Sequence, residues 1–264
     1  MNKTLDFAKS IALQAGELIV RERSQHPLRR DFKGGHELVT QADLKADALI
    51  TGLIRDAFPE HEILSEELAP ETRDVATLDR DLWIVDPIDG TVNYAHGHHQ
   101  SAVSIAYVRD REIVAGVVYN PFTAEMFWAK AGGGAFLNGS PIRVAEESDP
   151  RRAIIATGFP YEKSTLEPML ARVAAILREC ADIRRLGAAS LDICWVAAGR
   201  LDGYYESLNL WDFAAAQLIA REAGARYGHF RDIPAGVDPQ FHCDNILVAN
   251  PVLFPRLREI LQNT

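Results

Sequence analysis

The chain is poor in the features that mark several whole classes of protein. Among its 264 residues there are only three cysteines, Cys180, Cys194 and Cys243. They form no Cys-x-x-Cys pair and their count is odd, which argues against a disulfide framework and predicts reduced thiols in a cytoplasmic setting. Long apolar runs are missing too, with none approaching the about 18 residues that span a bilayer. The N-terminal segment carries Asp6, Lys9 and Glu17 inside its apolar pattern and does not read as a signal peptide. Positive charge is in deficit: 28 lysines and arginines stand against 37 aspartates and glutamates, for a net charge of −9. General nucleic-acid or membrane-surface binding asks for a basic face, so neither is expected. An anionic small molecule remains compatible, because a bound cation reverses the local field. No internal repeat, low-complexity tract or linker interrupts the chain.

What is present is an ordinary globular supply of apolar residues, 47%, ample for a core. Residues 4–23 carry Leu5, Ala8, Ala12, Ala15 and Ile19 at helical spacing, with Thr4 placed to cap the helix. The segment RDFKGGHELVT reads as a mobile surface loop. Thr40 then caps a second helix over about 41–57, with Ala42, Ala46, Leu49, Ile50, Leu53 and Ala57 on one face. Short strands follow at 61–64, 82–86, 101–108, 113–119 and 124–129. SAVSIAYV and EIVAGVVY are almost continuously apolar, as strands buried on both faces should be, and DRE and NPFTA supply the turns of a meander. AGGGAFLNG is a further turn-rich piece. The second half reads as strand 152–157, helix 166–179, strand 182–185, helix 189–199, strand 202–205, helix 212–223, strand 244–249 and helix 252–262. Gly224 ends one of these helices as a glycine just past its last turn should. The pattern predicts layered α/β packing without a hinge, in one domain whose halves cover about 1–150 and 151–264.

The chemistry is concentrated in WIVDPIDGTVNY, residues 83–94. Asp86 closes an apolar strand, where loops of α/β folds gather ligand sites, and Pro87 fixes the turn that follows. Asp86 and Asp89 are then held near each other, with the Ile88 carbonyl between them. Two such carboxylates are driven towards protonation unless a cation joins them, and hard oxygen ligands point to Mg²⁺. Gly90 and Thr91 open a short segment whose amides can face an anion. An Asx-turn with a helix cap is the plainer reading of the same residues. Glu66 and Glu67 in ILSEEL, Asp212 in LNLWDFAAA and Asp43 in LVTQADLKAD add further carboxylates. Singly, each reads as a loop glutamate or a helix-capping aspartate; together they read as a site.

Taken with KGGHELVTQAD, ILSEEL, SAVSIAYV, GVVYNPF, GGGAFLNG, RRLGAAS, GRLDGYYE and WDFAAAQLIAREAG, that stretch resembles the inositol monophosphatase family of Mg²⁺-dependent, lithium-sensitive phosphomonoesterases. The likeness runs from the first helix to the last strand and implies the family's layered αβαβα sandwich. Carried over by position, it assigns Glu66, Asp86 and the Ile88 carbonyl to one metal ion. Asp86, Asp89 and Asp212 hold a second, Asp86 bridging, and Glu66 helps to hold a loosely bound third ion through water; Mn²⁺ is an alternative to Mg²⁺. Thr91 with Asp43 orients and activates the attacking water, while the Gly90 and Thr91 amides hold phosphate. The alcohol half of the substrate meets Gly187, Ala188, Ala189 and Glu206, with Asp89 and Asp212 also facing substrate. A homodimer is the usual arrangement.

The sequence departs from the family pattern in places. Ser65 stands for a glycine, Glu37 for an aspartate, His99 for a proline and Ser101 for an aromatic residue. The segment from Glu206 to Asp212 is one residue short, which shifts the polyol-facing wall. His96, His98 and His99 have no zinc-site spacing and read as surface or interface imidazoles. The triple glycine at 132–134 lacks the Lys-Ser/Thr of a nucleotide loop, and Trp211 reads as a packing residue that positions Asp212. Inositol 1-phosphate is the default substrate. Histidinol phosphate, fructose 1,6-bisphosphate, NADP and 3′-phosphoadenosine 5′-phosphate are alternatives, and Val92 after DPIDGT mildly disfavours a charged recognition point there. From another class, a regulatory module contacting RNA or transcription machinery is the competing reading. The full set of carboxylates argues against abandoned catalysis.

Overall fold

A computed structural model describes residues 2–25, 30–33, 37–68, 80–159 and 166–264. Two sheets organise it. The larger has seven strands, β3 (Glu62–Ser65), β4 (Leu82–Asp89), β5 (Ala102–Arg109), β6 (Glu112–Asn120), β7 (Glu125–Lys130), β8 (Ala135–Leu137) and β9 (Ser140–Pro141), side by side in that order. Only β3 and β4 run parallel; the rest form the expected meander. The smaller sheet has the order β11 (Asp182–Arg184), β10 (Ile154–Thr157), β12 (Gly203–Glu206), β14 (Ile246–Ala249), β13 (Arg226–His229).

Strand alternation sends side chains to opposite faces, and this builds five layers. Trp83, Val85, Val103, Ile105 and Val117 pack against α1 (Asn2–Gln25) and α2 (Gln41–Ala57). Leu82, Ile84, Ala102, Ala106 and Phe127 point the other way, onto α5 (Ala189–Ala197) and α6 (Leu210–Glu222). Ala156, Tyr204, Ile246 and Val248 of the smaller sheet share that same core. Its far face carries Ile155, Tyr205, Leu247 and Ala249 against α7 (Phe254–Gln262), with Ile176 of α4 (Leu166–Glu179). The result is the predicted αβαβα sandwich. Gly116 explains how tightly the middle layer sits: a Cβ there would lie 2.6 Å from the Ala215 carbonyl oxygen of α6, so only glycine lets helix and sheet approach.

Several expectations are corrected. RDFKGGHELVT contains a hairpin, β1 (Arg30–Lys33) with β2 (Glu37–Thr40), in place of an unstructured loop; its glycines lie outside the described residues. The first helix begins at Asn2, so Thr4 lies in its first turn and is not the cap. On α2 the buried face includes Asp43, Asp47 and Thr51, while Ala57 is exposed. The face is turned towards the candidate site relative to the purely apolar reading. Strand β4 continues through Pro87 to Asp89. Strands β8, β9 and β13 went unread, being short and broken by glycine or charge.

Candidate active site

The site grows from an irregularity in β4. Asp86 pairs with Ser104 and Asp89 with Ala102, so three steps on β4 oppose two on β5. This bulge sits at Pro87, which has no amide to give to the ladder. Asp86 Oδ1 accepts the Ile88 amide at 2.9 Å, the Asx-type turn of the plainer reading, and the bulge still leaves both aspartates facing one cleft. The next residue, Gly90, has φ 85°, and a Cβ there would lie 2.7 Å from the Gln100 oxygen and 3.0 Å from the Gly187 oxygen. The Asp-Gly corner and the Gly187–Ala188–Ala189 turn therefore lie face to face. Asn93, in the short helix α3 (Thr91–His96), ties them by donating to the Gln100 and Leu186 oxygens at 2.9 and 2.7 Å.

Asp86, Asp89 and Asp212 converge. One carboxylate oxygen from each lies within 4.8 Å of the others. Asp212 reaches the cluster from the first turn of α6 while accepting the Asn209 amide at 2.8 Å, so it caps the helix and faces the cleft at once. Asp89 accepts the Ser190 amide and hydroxyl at 2.8 and 2.5 Å and the Ala189 amide at 3.2 Å. It thus caps α5 from a strand a hundred residues away in sequence. Burial raises the Asp89 carboxyl to about 6 despite those donors. Asp86 lies well above the usual carboxylate range because it is buried and because Glu66, Asp89 and Asp212 are its charged neighbours. Glu66 shares a hydrogen bond with the Asp86 carboxyl, but is not among the three that converge. Three buried or half-buried carboxylates that repel one another form an all-oxygen donor set suited to a hard divalent cation.

Beside the cluster, Thr91 Oγ1 lies 3.1 Å from both Asp43 Oδ1 and the Ile88 oxygen. A hydroxyl has one proton, so it donates to one of them at a time. Asp43 Oδ2 accepts the Thr40 amide and hydroxyl at 2.8 and 2.5 Å, half of the capping box that opens α2. Burial outweighs these donors and raises Asp43 to about 6. Asp43 does not line the cleft; it stands behind Thr91.

The cleft itself holds about 490 Å³ and is lined by Glu66, Asp86, Ile88, Asp89, Gly90 and Thr91 on one side. Gly187, Ala188, Ala189, Glu206 and Asp212 line it too, so every other predicted site residue opens onto the same space. Glu206 ends β12, where it accepts hydrogen bonds from the Tyr204 hydroxyl and the Gly158 amide; burial raises it to about 7. The shortened 206–212 segment still delivers both of its carboxylates to the cleft. Ser65 donates to Asp47 and Ser101 to the Gly90 oxygen, so these departures supply buried hydrogen bonds near the site. His96, His98 and His99 are exposed, and among the described residues only the three aspartates form a metal-compatible group. Trp211 lines the cleft beside Asp212, more than a packing residue. Sequence reasoning missed Ser190, Asn93, Arg185, Asp192 and Tyr204. For Asp192 a signal was present: a lone carboxylate in the apolar run LDICWVAA.

A family model described as the inositol monophosphatase family matches residues 1–263. An inositol-1-monophosphatase of Rhizobium meliloti is 39% identical over 98% of this chain and 96% of its own length. A Nus factor SuhB of Vibrio cholerae is 38% identical over 95% of this chain and 92% of its own. The solved inositol monophosphatase of Anabaena superposes with a TM-score of 0.84 at 31% identity, covering 100% of this chain and 96% of that one.

Proposed function

Because the chain belongs to the inositol monophosphatase family and is a phosphatase by that membership, we propose that it hydrolyses a small polyol or sugar phosphate with the help of Mg²⁺. Inositol 1-phosphate is the first ester to test. The observation that carries the reading is the convergence of Asp86, Asp89 and Asp212 beside the Thr91–Asp43 pair. Asp86, Asp89 and Asp212, with Glu66 and the Ile88 carbonyl adjoining, would hold divalent ions, two or three per subunit by family precedent. Ions so placed supply charge neutralisation and make bound water more acidic.

The chain's own groups do the rest. Thr91 Oγ1 takes a proton from the attacking water as it passes its own to Asp43 Oδ1, so Asp43 acts through Thr91. The new P–O bond forms as the ester P–O bond breaks, and the departing alkoxide takes a proton from solvent. A carboxyl raised to about 6 is suited to taking a proton near neutral pH. The Gly90 and Thr91 amides hold phosphate, and the bulge at Pro87 orients them. Glu206, the Gly187–Ala189 turn, Asp89 and Asp212 position the alcohol half. The buried apolar layers on both sides of the cleft keep these groups in place, and phosphoryl transfer depends chiefly on such positioning.

The test is phosphate release from inositol 1-phosphate, histidinol phosphate, fructose 1,6-bisphosphate, NADP and 3′-phosphoadenosine 5′-phosphate, each with Mg²⁺, with EDTA and with Asp89→Asn. Release that needs Mg²⁺ and is lost in the variant supports the reading, and the ranking names the substrate. Release that survives both EDTA and the substitution would sink it. A second reading rests on the relative named a Nus factor: a regulatory contact with a protein or nucleic acid alongside catalysis. That reading requires the contact to persist in Asp89→Asn. We also infer a homodimer; Leu166, Leu170 and Leu177 leave an exposed apolar stripe on α4 that a second copy would cover. Light scattering at the monomer mass would overturn it.

A further inference from the structure

Asp192 is a carboxylate of the cleft wall that neither the acidic cluster nor the phosphate-facing corner uses, and it has no part in the reading above. Asp192 lies in the first turns of α5, where Leu191, Ile193, Cys194 and Val196 are buried and apolar. It is itself only 1% exposed, yet it lines the cleft. Its Oδ1 is buried with no hydrogen-bond partner among the described residues, although most buried polar groups are satisfied. Its charged neighbours are Asp89 and Glu206, with Arg185 opposing them. Packing alone asks for an apolar residue at this position.

The surroundings indicate what is missing. Tyr204 neighbours both acids: its hydroxyl donates to Glu206, and the charge of Asp192 also acts on it. Glu206 is already held by Tyr204 and the Gly158 amide, so it is preorganised. Arg185, whose guanidinium lies 5.3 Å from the Phe159 ring centroid, acts on both carboxylates. Both Arg185 and Phe159 line the cleft. The guanidinium opposes part of the local negative charge, and a neutral hydroxyl meets a buried acceptor without bringing a further charge out of water.

We propose that Asp192 is a specificity determinant that, with Glu206, accepts hydrogen bonds from two hydroxyls of a polyhydric alcohol in the substrate. This rests on the phosphatase reading above and deepens it. A site built to accept a hydroxyl discriminates strongly against a compound that lacks it, because the buried acceptor is then left unpaired.

The experiment compares inositol 1-phosphate with cyclohexyl phosphate, the same ring without hydroxyls, in the Mg²⁺-loaded wild type and in Asp192→Asn. Asparagine keeps the shape and replaces one acceptor by a donor; Asp192→Ala serves as the second variant if the first folds poorly. The expected result is that the ratio of kcat/KM between the two esters falls about tenfold or more. The melting temperature in EDTA should stay level or rise, since an unpaired buried carboxylate is removed. An unchanged ratio overturns the proposal and leaves the phosphatase reading intact. Ethanolamine phosphate is the third ester: a wild-type preference for it that vanishes in the variant would overturn the hydroxyl assignment in favour of a cation. If the wild type cleaves no ester, the phosphatase reading falls and thermal shifts decide the rest. Inositol 1-phosphate must then stabilise the wild type more than inorganic phosphate does, and the variant not; equal shifts overturn the proposal.

Discussion

Replacing Asp86 by asparagine is expected to leave the metal-free protein at least as stable as the wild type, while removing most of the stabilisation that Mg²⁺ confers. The size of both effects follows from the geometry. Asp86, Asp89 and Asp212 bring carboxylate oxygens within 4.8 Å of each other. Two ionised groups at that distance repel by about 3 kcal/mol at an effective dielectric constant of about 20. Proton uptake by Asp86, favoured first by its burial and then by its charged neighbours, relieves part of this without metal. Asparagine is a neutral near-isostere that keeps an oxygen for the Ile88 amide, so the fold loses a repulsion and little else. On the other side of the balance, Mg²⁺ at a hundred times its Kd stabilises a folded protein by about 2.7 kcal/mol. For a domain of this size, 1 kcal/mol moves the melting temperature by roughly 2–4 °C. The wild type should therefore gain about 5–10 °C on saturation. The assay is thermal unfolding by circular dichroism in EDTA and across a Mg²⁺ titration. A variant that keeps the whole Mg²⁺ shift, or that loses several degrees in EDTA, would refute the reasoning.

Protons compete with cations at Asp89, and protons alone add to the buried carboxyls of Asp43 and Glu206. Asp43 and Asp89 are raised to about 6 and Glu206 to about 7, so the folded chain retains protons that the unfolded chain has released. The stability this gives is fully present below the unfolded values and is lost as pH rises through about 6–7. In EDTA the melting temperature should fall between pH 5 and 7.5, and Mg²⁺ affinity should rise over the same span; a flat profile by calorimetry would count against it. Thr91→Ala should lower kcat by about a hundredfold or more with little change in KM, and Thr91→Ser should recover most of it; equal losses in both variants would assign Thr91 a packing role. Lithium should inhibit phosphate release at the loosely held metal position beside Glu66, and complete insensitivity would argue against a third ion there.

Much of the frame was legible because it is periodic. The 3–4 spacing of Leu5, Ala8, Ala12, Ala15 and Ile19 located α1, and all five are buried. Thr40 with Asp43 three residues on announced a capped helix, and the capping box forms. The same two residues also serve the candidate site, which local pattern could not reveal. Asp43 meets Thr91 across 48 residues, and Asp89 meets Ser190 across 101; such meetings depend on how layers stack. The continuation of β4 past Pro87 was missed because proline ordinarily ends a strand, and only the bulge against β5 accommodates it. The hairpin at 30–40 and strand β13 went unread because glycine and charge hide short strands whose partners are decided by tertiary pairing. Asp192 sits at one position of an apolar helix pattern and shares no local motif, whereas its meaning lies in a buried Oδ1 with no hydrogen-bond partner among the described residues.

The most direct test of the account is a crystal of the protein grown with Mn²⁺ in place of Mg²⁺, with data collected at the manganese absorption edge. An anomalous peak within coordination distance of Asp86, Asp89 and Asp212 is the predicted result. A fully occupied peak elsewhere, with those three carboxylates bound only to protein donors, would contradict it.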